Sequence, residues 1–193
     1  NCGFGVAPTR EIHRKMIMQT LEKVEGMSLE ALEAGLGTDW PFETFPQYLD
    51  RLDAGERDID VAAYLPHSPL RVYVMGERGA NREAATDEDL AKMRVLATEA
   101  VEAGALGFST SRLSIHKTAE GGSIPSFEAD IRELSEICGG LSDAGSGTFQ
   151  IVLDAFKGWD KEYRVIEEVV AASGRPATFT LASGNDAPPR WRK

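Results

Sequence analysis

The sequence predicts an α/β fold built on a parallel sheet, and three observations carry that prediction. From residue 59 onward, short runs rich in strand formers alternate with longer stretches of helical periodicity. Several helical stretches end on glycine, a natural stop. Helices rather than tight turns separate consecutive strands, so the connections are right-handed crossovers and the strands run parallel. A doubly wound sheet and a barrel both satisfy this pattern.

The elements follow in order. "IDVAAYLP" (59–66) is the first strand-like run, ended by Pro66. "TDEDLAKMRVLATEAVEAG" (86–104) is a helix: Thr86 and Asp89 form a capping box, and Gly104 ends it. Its Leu90, Met93, Ala97, Ala100 and Val101 share one face. "ALGFSTS" (105–111) is the next strand. "FEADIRELSEICGGLSDAG" (127–145) is a helix with Ile131, Leu134, Ile137, Cys138 and Leu141 turned inward. "GTFQIVLD" (147–154) reads as a strand, "DKEYRVIEEVVAASG" (160–174) as a helix and "PATFTLAS" (176–183) as a strand.

Residues 10–58 differ. Two helical stretches, a loop with two prolines and a short helix near 45–54 make an elaborated crossover into the strand at 59–66. The tail, 184–193, is turn-rich and basic and is expected to be loose. "GERGANRE" (76–83) lacks the Lys-Ser/Thr ending of a phosphate loop and reads as a turn.

With 193 residues, 42% of them hydrophobic, the chain is large enough for one domain with a core. Its net charge of −10 argues against nucleic-acid and anionic-membrane partners, which select basic patches. No apolar run approaches the roughly 20 residues of a membrane helix. Two cysteines far apart, Cys2 and Cys138, make no disulfide framework, and a reducing cytoplasm is the expected location.

In parallel α/β folds chemistry collects at the carboxyl ends of strands. Those positions hold His67; Ser109, Thr110 and Arg112; Asp154; and Ser183, Asn185 and Asp186. His67, between Pro66 and Pro69, suits either substrate hydrogen bonding and proton transfer or a bond to loop carbonyls. Arg112 suits a bidentate clamp on a carboxylate, or equally a salt bridge to one of the many acids. His116 lies in a glycine-rich loop able to close over a site, with a surface loop as the simpler reading. Asp154 suits a metal, a base or a helix cap, although Asp160 is better placed to cap the helix that follows. Cys2 suits zinc as a thiolate, or a small buried apolar role.

Five segments in order, "NCGFGVAP", "ETFPQYLD", "VAAYLPHSPLRVYVMG", "EAGALGFSTSR" and "SGRPATFTLASG", resemble the N-acyl-D-amino-acid deacylase (D-aminoacylase-like) branch of the amidohydrolase superfamily. The resemblance implies a partial TIM (β/α)8 barrel, with the strands here as its third to sixth. It implies that Cys2 is a zinc ligand, that a His-x-His pair precedes Asn1, and that the catalytic aspartate lies beyond Lys193. The chain is then the central part of a longer hydrolase of non-peptide C–N amide bonds, inactive in isolation, whose substrate is an N-acyl amino acid or related amide. His67, Ser109, Arg112 and His116 are the substrate-binding candidates, and Cys2 is the metal candidate.

Two departures mark a divergent subgroup. The family carries metal-binding histidines at the ends of its fifth and sixth strands. "GTFQIVLD" and "ATFTLASG" hold none, and Gln150 and Thr180 stand nearest. A histidine-containing loop after "GFSTSR" also replaces a tyrosine-containing one. These departures support a rival expectation, a non-catalytic α/β scaffold that binds a small ligand or partner chain. Unpaired sheet edges would in either case favour homo-oligomers.

Overall fold

The computed structural model describes residues 2–37, 40–154 and 158–180. Its centre is a four-stranded, all-parallel sheet in the order β1-β2-β3-β4: Leu65–Pro66, Gly107–Ser111, Thr148–Val152 and Ala177–Thr180. The α/β alternation is therefore real, and the strands follow one another across the sheet in sequence order.

A 3-10 turn, Glu11–His13, leads into α1, Arg14–Glu25, followed by α2, Leu29–Leu36, and α3, Phe45–Asp53. Thr44 and Gln47 cap α3 reciprocally, with Pro46 in its first turn. After β1 come α4, His67–Met75, the single turn α5, Glu77–Ala80, and α6, Asp87–Glu102. The helices α7, Ile131–Asp143, and α8, Trp159–Ser173, follow β2 and β3.

The expected capping box at Thr86 and Asp89 is present, and Arg78 adds a bidentate bond to Asp89 at 2.9 and 2.7 Å. All five inward residues predicted for α6 are buried. Four of the five predicted for α7 are fully buried, while Ile131 is only partly so. The pleat separates two chemistries. Phe108, Phe149 and Ala177 share one row, and Phe108 stacks on Phe149 with centroids 6.0 Å apart. This face also carries Thr110 and Ile151 and packs toward α4, α6 and α7. The opposite face carries a polar row, Ser109, Gln150 and Thr178, and nearer the strand ends Ser111, Val152 and Thr180.

Helices α6 and α7 meet at Gly139 and Gly140. A Cβ on Gly140 would stand 2.3 Å from the Arg94 carbonyl oxygen and 2.9 Å from Ala97 Cβ, so the crossing requires glycine there. Arg94 closes the contact with bonds to Asp143 at 2.6 and 2.8 Å.

Three expectations need correction. The strand expected over 59–66 contracts to Leu65–Pro66. Ile59 and Val61 are exposed, and only Ala63 extends the pairing, accepting from Leu106 N at 2.9 Å. Asp58 and Asp60 break the apolar run, so those residues have no face to bury. The segment after Pro66 is α4 rather than a rigid loop. Pro69 sits in its first turn, where the missing N–H leaves no helical bond unmade. Asp160 lies in the first turn of α8 without capping it, since Gly158 is the N-cap and no side chain bonds there. The expected strand residues 181–183, with Ser183, Asn185, Asp186 and the tail 184–193, lie outside the described residues.

Candidate active site

The carboxyl ends of β2 and β3 and the amino-terminal segment meet at one end of the sheet. Gly3 makes that meeting possible. Its φ is +91°, and a Cβ there would stand 2.9 Å from Thr110 Cα, so only glycine lies this close to β2. Gly3 N donates to Ser109 Oγ at 3.2 Å, and Ser68 N donates to Gly3 O at 3.1 Å. The first residues are thereby fixed between β1, α4 and β2, and Cys2 is held beside the strand ends.

Cys2 is a half-buried free thiol 4.0 Å from Glu25 Oε1, at the end of α1. Burial, reinforced by the Glu25 carboxylate, pushes its pKa up, so the thiol keeps its proton at neutral pH. His116 folds back over this end. Its Nδ1 lies 2.8 Å from Ser111 Oγ, and its ring meets Phe4 edge-on at 5.1 Å. Leu113 N donates to the same Ser111 oxygen at 3.2 Å. Burial lowers the His116 pKa against the opposing pull of Glu25. His116 is therefore a half-buried neutral imidazole held by a strand-end hydroxyl, close enough to feel the same carboxylate as Cys2.

The other candidates lie elsewhere. His67 is wholly enclosed on the helix-packed side of β2. Its Nδ1 is 2.8 Å from Thr110 Oγ1 and its Nε2 is 2.7 Å from Glu133 Oε1. Glu133 also accepts from Arg71 Nη1 at 2.7 and 2.6 Å, and Arg71 Nη2 donates to Glu83 O at 2.5 Å. Burial lowers the His67 pKa more than Glu133 raises it. Burial works to raise the Glu133 pKa, but the bonds from His67 and Arg71 leave it below its usual range. A carboxylate only accepts, so Nε2 carries the imidazole proton and Nδ1 accepts from the Thr110 hydroxyl.

Arg112 is buried, and its Nε donates to Glu162 at 3.2 and 3.0 Å. Of the two roles the sequence allows, the salt bridge is the one this arrangement forms. Asp154, fully enclosed, accepts from Ser114 N at 3.1 Å and donates its own N–H to Glu162 at 3.3 Å. Arg112, Asp154 and Glu162 thus anchor the loop that brings His116 back. Ser109 receives Gly3 N, as described, and stands in the polar row beside Gln150. Gln150 Oε1 is buried and has no partner among the described residues. At the strand end of that face stands Val152 rather than Gln150.

Glu25, Glu133 and Glu162 escaped the sequence reading. Each sits on a helix among other acids, and nothing in the local pattern separates the buried Glu133 and Glu162, or the exposed Glu25 beside Cys2, from an ordinary solvated carboxylate. Among the described residues no three His, Cys, Asp or Glu side chains are grouped to hold a metal ion. The thiol–carboxylate pair is a partial donor set, one short of the three protein ligands usual at a catalytic zinc, so the described residues alone do not fit one.

The chain is 32% identical to a D-aminoacylase of Alcaligenes xylosoxydans xylosoxydans over 145 residues, 75% of this chain and 25% of the relative. It is 36% identical to an N-acyl-D-aspartate deacylase of the same organism over 110 residues, 57% of this chain and 19% of that one. An uncharacterized protein of Mycobacterium tuberculosis (strain ATCC 25618 / H37Rv) is 34% identical over 97 residues, 49% of this chain and 16% of its own. The chain thus spans a quarter or less of the length of these relatives. No solved structure matches it. Members of the amidohydrolase family commonly use metal ions such as zinc, and that family matches residues 22–193, nearly the whole parallel α/β unit. The chain belongs to the amidohydrolase family.

Proposed function

We propose that this chain is the central part of a metal-dependent hydrolase that cleaves non-peptide C–N amide bonds in N-acyl amino acids. Its strands are read as the third to sixth of a TIM barrel, with the polar row of Ser109, Gln150 and Thr178 facing the barrel interior. The carrying observation is the convergence of Cys2, Glu25, Ser111 and His116 at the strand ends of a parallel sheet, where such folds keep their chemistry. The names of the two Alcaligenes relatives supply the substrate class.

In this reading Cys2 is a zinc ligand, completed by donors outside the described residues. A zinc held there by Cys2 and such further donors would supply Lewis acidity toward the scissile carbonyl and a bound water. This chain's residues position and exchange protons. His116, neutral at pH 7 and held on Ser111, accepts or returns a proton at its imidazole. Ser109 and Ser111, both fully buried, hold the Gly3 segment and the His116 ring in place beside the substrate. His67 and Arg112 act from behind: the first fixes β2 through Thr110, the second fixes the His116 loop through Glu162. The exposed β4 edge, with Phe179 41% exposed, is a surface for a further strand or a second copy. No described helix is long and apolar enough to cross a membrane, and the cytoplasm is the proposed location.

The test is elemental analysis and turnover. Cys2→Ala in the full-length enzyme is expected to lower bound zinc, and the 193-residue chain alone is expected to show no hydrolysis of N-acetyl-D-amino acids. Unchanged zinc removes the ligand role, and turnover by the isolated chain contradicts the reading as a central part. Val152 at the β3 end, where the resemblance expects a metal-binding histidine nearby, favours a second reading, a ligand-binding scaffold without catalysis. A full-length protein that binds an N-acyl amino acid without cleaving it would establish that reading.

A further inference from the structure

His116 and Ser111 share a hydrogen bond whose direction follows from a count of donors and acceptors. His116 Nδ1 lies 2.8 Å from Ser111 Oγ, and Leu113 N donates to the same oxygen at 3.2 Å. Ser111 is fully enclosed. A hydroxyl has one proton to give and two lone pairs to receive. Were Nδ1 the donor, Ser111 Oγ would receive two bonds, and its own proton would have no acceptor among the described residues. Buried donors are rarely left so. With Nδ1 as the acceptor every group is satisfied: Leu113 N–H bonds to Oγ, and Oγ–H bonds to Nδ1. The ring is therefore neutral, and its single proton sits on Nε2.

Nε2 has no partner among the described residues, and the ring is half-buried rather than enclosed. Its plane is set by Phe4, which meets it edge-on at 5.1 Å and 81°. The loop that carries it is anchored through Arg112 on Glu162 and Ser114 N on Asp154. The fold thus presents an oriented N–H at the strand ends, and not a lone pair. An imidazole of this tautomer neither takes a proton at Nε2 nor ligates a metal through it. Of the two directions in which the ring exchanges a proton, only donation is open.

We propose that His116 is a hydrogen-bond donor to the substrate, its Nε2–H taken by the acyl carbonyl oxygen as negative charge develops there. Donors set in advance toward such an oxygen stabilise the transition state more than the ground state. Glu25 favours this acceptor over the substrate carboxylate. Its own carboxylate lies 4.0 Å from Cys2 Sγ and acts on His116 as well, so it opposes a permanent second charge, whereas a carbonyl is neutral until it is attacked. The substrate in this proposal rests on the proposed function; the tautomer rests on the hydrogen bonds alone.

Long-range proton–nitrogen NMR of the full-length protein, with isotope-labelled histidine, reads the tautomer without any turnover. His116 is expected to show a protonated Nε2 and a bare Nδ1 at neutral pH. In hydrolysis of N-acetyl-D-amino acids, His116→Leu is expected to lower kcat roughly a hundredfold, with KM changed far less. His116→Gln keeps an N–H but has no basic nitrogen, and it is expected to recover at least tenfold of that loss. Bound zinc is expected to be unchanged in both variants. A bare Nε2 in the parent, a glutamine variant as inactive as the leucine one, a loss confined to KM, or zinc lost with the imidazole overturns the proposal. A parent without turnover removes the enzyme reading instead. In that case saturation with N-acetyl-D-leucine is expected to move the Nε2–H signal, and a signal that stays in place overturns the donor role.

Discussion

His67 Nε2 stands 2.7 Å from Glu133 Oε1 with both side chains closed to solvent, and Arg71 completes the charge balance on the same carboxylate. Removing the carboxylate leaves a buried guanidinium without its counter-charge. Glu133→Ala is expected to lower the unfolding free energy by about 3–5 kcal/mol, the usual cost of breaking a buried pair from one side. Glu133→Gln, which keeps an acceptor for His67, is expected to cost less. Equilibrium urea unfolding measures both, and an alanine variant as stable as the parent would refute the network's structural role.

The imidazoles set the direction of the pH response. His13, His67 and His116 all have native pKa values below 6.5, in each case through burial first. The unfolded chain takes up their protons as pH falls through 6.5, while the folded chain does not, so stability drops on acidification. Glu133, depressed below 4.5, adds a further loss at lower pH, because the unfolded carboxyl protonates first. The melting temperature is expected to fall steadily from pH 7.5 to pH 5, with a shallower slope in His67→Gln among variants that fold. A flat profile over that window would contradict the buried neutral assignment.

Two glycines on helices are predicted to respond in opposite directions. Gly140→Ala drives a methyl into the Arg94 carbonyl and Ala97, and is expected to cost about 1–3 kcal/mol as overpacking. Gly35→Ala lies in α2 with nothing within 4 Å, and is expected to add roughly 0.5–1 kcal/mol through helix propensity. Thermal melts of the two variants, run side by side, decide the matter.

Gly3→Ala is expected to dislodge the segment that seats Cys2. The new Cβ would meet Thr110 Cα at 2.9 Å, in a backbone conformation that already disfavours side chains. Cys2 should then react faster with a disulfide reagent, while Cys138, fully buried and with its pKa pushed up by burial, stays slow as an internal reference. Equal labelling of Cys2 in both proteins would show that the segment does not depend on this contact.

Much of the frame was legible in the sequence because it is written in local patterns. The Thr86–Asp89 box, the inward stripe of α6 and the strand–helix alternation need only neighbours a few residues apart. The site is written differently. Glu133 meets His67 across 66 residues, Glu162 meets Arg112 across 50, and Glu25 meets Cys2 across 23. These acids carry no signature on their own helices, and the burial of Glu133 and Glu162 follows from tertiary packing alone. The same distance effect relocated His67: its position after a strand was read, but the partner that turned its ring toward the helices was not.

The two-sided pleat of β2 and β3 has an evolutionary consequence. Ser109, Ser111, Gln150 and Val152 point one way, while Phe108, Thr110, Phe149 and Ile151 point the other. Drift on the first set exchanges reactive groups without eroding the packing maintained by the second. A lineage of such proteins is therefore free to lose, alter or regain chemistry one residue at a time while its architecture stays intact.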